Sequence, residues 1–472
     1  MTTPEPAPAP ESPAPRAGFG TVVGIVILLA AVLAFTALQY AMPDSFNGQW
    51  ELNHPGVRDF QRHWLGHSVP ALSREKFTGL FRFLLMAAWA AYAWMLAFGL
   101  SSRGWSLQPR LLIFVIVVVA LLLALVFPCS LSSDPYVYVT YGRLQVIYGL
   151  NPYAHRSDEL HSLGDPAQEF QRSPSTAPYG PVWVQTCTAL VWLLPRQDLW
   201  YPVLGIKLIG GASLVACALL ARAMVRFFSE DRADLTLLAV GLNPLFLIEG
   251  PGNGHNDLLM MALLLGGFLA CLKRRYNLAC LLLGLSGGIK FFTWATGPWV
   301  MVERSRGAGI WGLLGRAFLT IFFLLAPVVL CYWPYREGSK LTSTLEEHSQ
   351  RGSEAAALAQ DAARTDWLRD RGWPESLIRP TLLVWRQWLV VGLYFGISAW
   401  ILKQPAPGRL LQGWTILAVG LFFWTMGVLF PWYLTWFWIG SLTQWRRPMV
   451  YLTCLCLPLA VVLTLKYSFV WG

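Results

Sequence analysis

The chain has 472 residues, 55% hydrophobic and only 13% charged, with a mean hydropathy of +0.47, whereas a soluble domain carries about 25% charged residues. That composition excludes a soluble globular fold and implies an all-α polytopic membrane protein held in a lipid bilayer. The net charge of +10 does not point to nucleic acid, because the basic residues fall in small groups between apolar blocks and not along one stripe.

Residues 1–16 are rich in Pro and Ala and cannot bury a core, so a disordered cytoplasmic tail is expected over residues 1–18. The apolar run 19–41 is longer than a signal-peptide core and has no basic leader beyond Arg16, which favours an uncleaved anchor. With runs 79–100 and 111–127 it makes three N-terminal membrane helices within residues 19–128. Runs 203–227, 235–248, 258–272, 278–288 and 291–302 follow within a segment 129–302. Runs 310–330, 382–402, 410–430, 432–442 and 450–465 lie in the C-terminal part, 303–472. About 13 membrane helices are expected in all. Residues 181–195 are apolar but short and bounded by Pro, and read as a helix along the outer surface.

Lys and Arg gather at Arg103/Arg110, Arg222/Arg226/Arg232, Lys273/Arg274/Arg275, Arg304/Arg306, Lys403/Arg409 and Arg446/Arg447. All six groups fall on the cytoplasmic side if the N-terminus is inside and every run crosses. Loops 42–78, 130–201 and 333–380 then face outward, as do the seven His residues. Runs such as 278–288 are too short to cross a core of ~30 Å, and short or broken helices of this kind often border a binding site. The eight cysteines show no metal-ligand spacing and read as small core residues. Cys129 and Cys331 alone both fall at outer helix ends, where a disulfide is conceivable.

Three stretches carry polar chemistry. Ser133-Asp134-Pro135-Tyr136, continuing through Tyr138, Tyr141 and Arg143, sets a carboxylate at the membrane surface beside aromatics and a cation. Asp134 is either a base for a sugar hydroxyl or a helix cap. Glu249-Gly250-Pro251-Gly252-Asn253-Gly254-His255-Asn256-Asp257 packs polar groups into one outward turn, and such groups at membrane level are usually functional, although Gly and Asn also build plain turns. Lys290, between two short apolar runs, needs an anionic partner, either a protein carboxylate or the phosphate of a lipid carrier. Weaker signals are His348, beside Glu346 and Glu347, and the aromatic turn with Trp432 and Tyr433. There is no Walker A loop and no Rossmann glycine fingerprint. An outward site cannot reach cytoplasmic nucleotide-sugars, so an activated group must arrive on a lipid.

Ser133-Asp134-Pro135-Tyr136 with Tyr141-Gly142-Arg143, Asn151-Pro152-Tyr153, Tyr179-Gly180-Pro181, Asn243-Pro244 with Gly252 to Asp257, and Gly284 with Lys290 occur in one order between these spans. In this the chain resembles the GT-C superfamily of membrane glycosyltransferases, specifically the bacterial polyprenol-phosphate-mannose-dependent alpha-1,6-mannosyltransferases, over residues 132 to 302 with a weaker echo at 431–436. The resemblance implies interfacial helices in a large first outer loop and a catalytic core over residues 129–302. It implies inverting transfer of a sugar, with mannose the expected one, from a polyprenyl-phosphate donor to a glycan or glycolipid acceptor at the outer face of a plasma or inner membrane. Asp134 would be the general base. Arg143 and Lys290 would hold the phosphate, and Tyr179, Asn253, His255, Asn256, Asp257, His348, Trp432 and Tyr433 would bind substrate. A single Asp followed by Pro, without paired acids, implies no metal; no cofactor is expected. Two other readings are a flippase or transporter of lipid-linked sugars, against which stands the lack of an internal repeat, and an assembly subunit, which leaves the turn at 252–257 unexplained.

Overall fold

A computed structural model describes residues 18–43, 54–101, 108–170, 176–195, 198–336, 362–403, 407–424 and 430–469. Among these, every regular element is a helix, so the chain is an all-α membrane protein. The longer helices in order are α1 (Phe19–Gln39), α2 (His54–Leu65), α3 (Arg74–Ser101), α4 (Pro109–Val126), α5 (Asp134–Tyr148), α6 (Pro181–Leu193), α7 (Trp200–Val225) and α8 (Ala233–Gly241). They continue as α9 (Asp257–Leu272), α10 (Tyr276–Gly287), α11 (Gly297–Ser305), α12 (Ile310–Tyr332), α13 (Glu375–Lys403), α14 (Pro407–Trp424), α15 (Thr435–Leu442) and α16 (Arg447–Phe469).

Among the described residues, six helices are long and apolar enough to cross a bilayer (α1, α3, α4, α7, α12 and α16), and α8 with its continuation Pro244–Gly252, bent by 47°, makes a seventh if counted as one. The expected thirteen crossings are therefore not set by helix length alone. Run 291–302 divides into a 3-10 turn, Phe291–Thr296, and the nine-residue α11. Helix α10, with 12 residues, is about 18 Å long at 1.5 Å per residue. Such pieces are tolerated at membrane depth only where protein covers them, and most of α9 and the inner face of α10 are indeed buried.

The segment expected to lie along the surface is helix α6, yet one side of it is core. Trp183, Val184, Cys187 and Val191 are buried. It meets α5 backbone to backbone at Gly142, where a Cβ would stand 2.5 Å from the Cys187 carbonyl oxygen. All eight cysteines are free, including Cys129 and Cys331, so the disulfide considered for that pair is not formed.

Helix α2, outside any apolar run, is strongly amphipathic. Phe60 and Val57 point inward while Arg58, Arg62 and Trp64 stay exposed. It rests on the ends of two spans: Gln61 Nε2 donates to the Tyr40 carbonyl at 2.6 Å and Trp64 Nε1 to the Leu125 carbonyl at 2.8 Å. The same end of the bundle carries the Asp134 turn.

Candidate active site

The site begins where α4 ends. Phe127 and Pro128 stop the helix, and Ser133 precedes α5, which opens on Asp134 with Pro135 in its first turn, where a missing N–H costs nothing. Asp134 does not cap α5. Its backbone N–H donates to Ser132 Oγ at 3.1 Å, and its carboxylate accepts from the hydroxyl of Tyr138, one turn further along α5, at 3.1 Å. The other neighbour of that carboxylate is His255 Nδ1, 3.2 Å from Oδ2.

His255 is placed by a chain interruption. Asn243 caps the short helix Pro244–Leu247, its Oδ1 accepting from Leu245 N at 3.0 Å, and its Nδ2 donates to the Tyr92 hydroxyl at 3.1 Å. Pro251 removes an N–H, and Ile248–Gly252 widens into a π-turn, a conformation often found at functional positions. Gly254 follows at φ 69°, in the left-handed region that favours glycine, and a Cβ there would press on Pro135 and Ile206, with Lys207 just beyond. The turn brings His255 Nε2 to 3.3 Å from Glu249 Oε2. Asn253 Nδ2 donates to the same carboxylate at 3.1 Å and its Oδ1 accepts from Leu131 N at 3.4 Å. The imidazole is thus bracketed by two carboxylates. Neither ring nitrogen has a well-aligned acceptor, so these are charge contacts and not in-line hydrogen bonds. Trp432 covers the ring face, with centroids 3.8 Å apart.

Burial by itself disfavours the imidazolium, but the Asp134 and Glu249 carboxylates outweigh it and raise the His255 pKa to about 9. Burial likewise opposes ionisation of Asp134, yet His255, the Tyr138 hydroxyl and Lys290 beyond it hold that carboxyl below its usual range. The two directions agree on an imidazolium between carboxylates at neutral pH.

Lys290 is delivered by a clamp between α6 and α10. Gly180 N donates to the Ile289 carbonyl at 3.0 Å and Val182 N to the Gly288 carbonyl at 2.9 Å. Gly180 and Gly288 touch so closely that a Cβ on Gly180 would lie 2.3 Å from the Gly288 oxygen. Lys290 then takes extended backbone, and its Nζ meets Asp257 Oδ1 at 2.6 Å. The partner that its position required is a protein carboxylate. Trp436 Nε1 donates to the same oxygen, and Tyr433 and Trp436 present their faces to the ammonium at 5.1 and 5.3 Å.

Of the expected site residues, the fold gathers Asp134, Tyr179, Asn253, His255, Asn256, Asp257, Lys290, Trp432 and Tyr433. Tyr179 stands edge-on to Tyr138 at 5.2 Å. Asn256 is buried, with neither side-chain polar atom partnered, and Asp257 Oδ2 is equally bare. Arg143 does not join them. It lies nine residues along α5 from Asp134, about 13 Å by helical rise, and forks onto Asp165 through Nε at 2.9 Å and a second nitrogen at 2.7 Å. His348 lies outside the described residues. Sequence reasoning left Glu249 and Trp436 out of the site. Glu249 was visible only as part of a polar turn, because nothing in a sequence marks a π-turn that folds it back on His255.

The described carboxylates differ in access. Asp134 is 29% exposed, whereas Glu249, Asp257 and His255 are 4%, 2% and 1% exposed and Lys290 12%. The cluster opens to a ligand mainly through Asp134, with Lys290 next.

A family described as "Alpha-(1->6)-mannopyranosyltransferase, N-terminal domain" matches residues 21–304, and "Glycosyltransferase family 87" matches residues 179–431. The chain is 25% identical over 333 residues to Alpha-(1->6)-mannopyranosyltransferase A of Mycobacterium tuberculosis, a match covering 65% of this chain and 60% of that relative's length. No solved structure matches.

Proposed function

The chain belongs to the alpha-(1->6)-mannopyranosyltransferase family, and from that premise we propose that it moves a sugar, mannose by preference, from a polyprenyl-phosphate carrier to a glycan or glycolipid acceptor, with inversion at the anomeric carbon. The site faces outward from a plasma or inner membrane. The observation that carries this reading is the contrast in access: one carboxylate, Asp134, is 29% exposed and is backed by charged groups that are almost wholly buried.

In the transfer, Asp134 takes the proton of an acceptor hydroxyl as that oxygen bonds to the anomeric carbon. The bond from that carbon to the phosphate oxygen breaks, and its electron pair leaves with the phosphate. A phosphate needs no proton to depart, only a cation. Lys290 supplies it, because Asp257 and two aromatic faces fix the ammonium while it retains further N–H donors. Tyr433 and Tyr179 offer rings for the apolar sides of a sugar, Trp432, stacked with His255 and Phe430, backs them, and Asn253, His255, Asn256 and Asp257 form the floor beneath. Each of the three carboxylates has a cationic, amide or indole nitrogen against one of its oxygens, from His255, Asn253, Lys290 or Trp436, which supports transfer without a metal.

Purified protein given a polyprenyl-phosphate mannose and an oligomannoside acceptor should form product in EDTA. Use of a nucleotide-sugar in place of the lipid donor, or loss in EDTA restored by a divalent ion, overturns the donor or the metal assignment respectively. Orientation is read separately. An impermeant thiol reagent should label a cysteine at the exposed Ser162 from outside intact cells and one at Asn277 only after lysis, and the reverse pattern removes the outward assignment.

A further inference from the structure

We propose that Glu249 is a positioning residue for the transfer, acting through His255 to keep the base Asp134 ionised and aimed. The proposal rests on the transferase reading above, but its structural part is measured on its own below.

The geometry is a line of three groups with one open end. Asp134 Oδ2, the two nitrogens of His255 and Glu249 Oε2 follow one another at 3.2 and 3.3 Å. Access falls along this line from Asp134 to two groups that are almost wholly buried. A substrate touches the first member and never the third. Glu249 is itself held. Asn253 Nδ2 donates to it, the His255 N–H donates to its backbone carbonyl at 2.9 Å, and the π-turn fixes the chain between them. The ring cannot tip, because Trp432 lies flat on it and Phe430 flat on Trp432 at 4.5 Å.

Charge explains why a second acid is needed. A buried histidine is driven towards its neutral form, and one partly exposed carboxylate is a weak counterweight. Two carboxylates make the imidazolium the stable form, and both its nitrogens are then donors with oxygens to face. Other charged or titratable groups around Asp134 and the ring include Tyr138 on α5, Tyr179, Tyr433, Lys207 on α7 beside Gly254, and Lys290 with its partner Asp257. No other described carboxylate contacts a ring nitrogen. During turnover the acceptor O–H proton goes to Asp134 and the imidazolium keeps its own, so the proton count on His255 and Glu249 is unchanged. Their contribution is orientation of Asp134 and a cation that keeps it free of a proton beforehand.

The test is Glu249→Gln, which keeps the shape and the Asn253 contact but removes the charge. Its amide oxygen takes the place of Oε2, and without the second negative charge burial favours a neutral ring. Transfer should fall about 10- to 100-fold, the usual cost of losing an orienting partner, mainly in kcat. The alkaline limb of the rate profile, set in the parent by His255 losing its proton at about 9, should move at least one pH unit lower, and the acid limb should move up as Asp134 loses its cationic neighbour. A role confined to folding lowers the amount of active protein and leaves both limbs in place; that outcome overturns the proposal. The titration of His255, followed by NMR of histidine-labelled protein with the signal assigned from His255→Asn, gives the same answer without turnover. A midpoint that is unchanged in Glu249→Gln refutes the link between the two residues. Failure of the transferase reading is distinct, because then the parent transfers no sugar while the titration still shifts.

Discussion

Helix α5 carries two buried ionic clusters, Asp134 with His255 and Glu249 at its first residue and Arg143 with Asp165 two and a half turns on. In the second, every strong bond is spoken for. The Arg143 fork, the Tyr148 hydroxyl at 2.8 Å and Ala167 N at 2.9 Å all converge on Asp165, and both side chains are within 4% of fully buried. In the first, charge contacts are slightly long, ring nitrogens lack aligned acceptors, and Asn256 and one oxygen of Asp257 nearby have no partner. A buried polar group left unpaired costs about 1–3 kcal/mol, so folding alone gives no reason for such a cluster. The closed cluster reads as scaffold and the open one as a site awaiting ligand.

The largest effect should come from Asp134→Asn. It keeps the side chain's shape while removing the base, so the protein should fold and bind donor, and transfer should fall about 10²- to 10⁴-fold. A well-folded variant at near-parental rate ends the comparison. Arg143→Met should show the opposite phenotype. It strands Asp165 and should cost about 3–5 kcal/mol of stability, read as a lower melting temperature in detergent, while whatever protein remains folded turns over normally. Adding Asp165→Asn should restore part of the loss, since it removes the stranded charge while its amide oxygen still accepts from Ala167 N. Normal melting of Arg143→Met would blur the distinction.

Gly180→Ala tests the clamp that delivers Lys290. The new Cβ meets the Gly288 carbonyl, and displacing the Gly288–Lys290 strand by even 1 Å should cost about 10- to 100-fold in transfer. Full activity would show that Lys290 does not need that placement. The smallest effect on stability is expected at Asn256. Asn256→Leu breaks no hydrogen bond present in the structure, so its melting temperature should stay at or above the parent's, while KM for the donor rises. A large stability loss with unchanged KM would assign Asn256 to the scaffold.

Much of this was legible in the chain itself. Apolar blocks long enough to span, Pro135 after Asp134, Asn243 before Pro244 and the crowded turn at 249–257 are local features, and local features report on helices, caps and turns. The same information misplaced Arg143, which looks equally suited to a phosphate until Asp165, 22 residues on, is seen to occupy it.

The sequence by itself determined an all-α membrane protein, its apolar segments and the stretches in which its chemistry lies, because hydrophobic periodicity and backbone-specific residues act over a few positions. Tertiary structure alone decided which polar residues are spent on one another. Lys290 finds Asp257 across 33 residues, Trp436 finds it across 179, and Glu249 reaches His255 only because the chain widens into a π-turn. Whether a buried charge is satisfied or left open depends on these distant partners, and that difference separates scaffold from site.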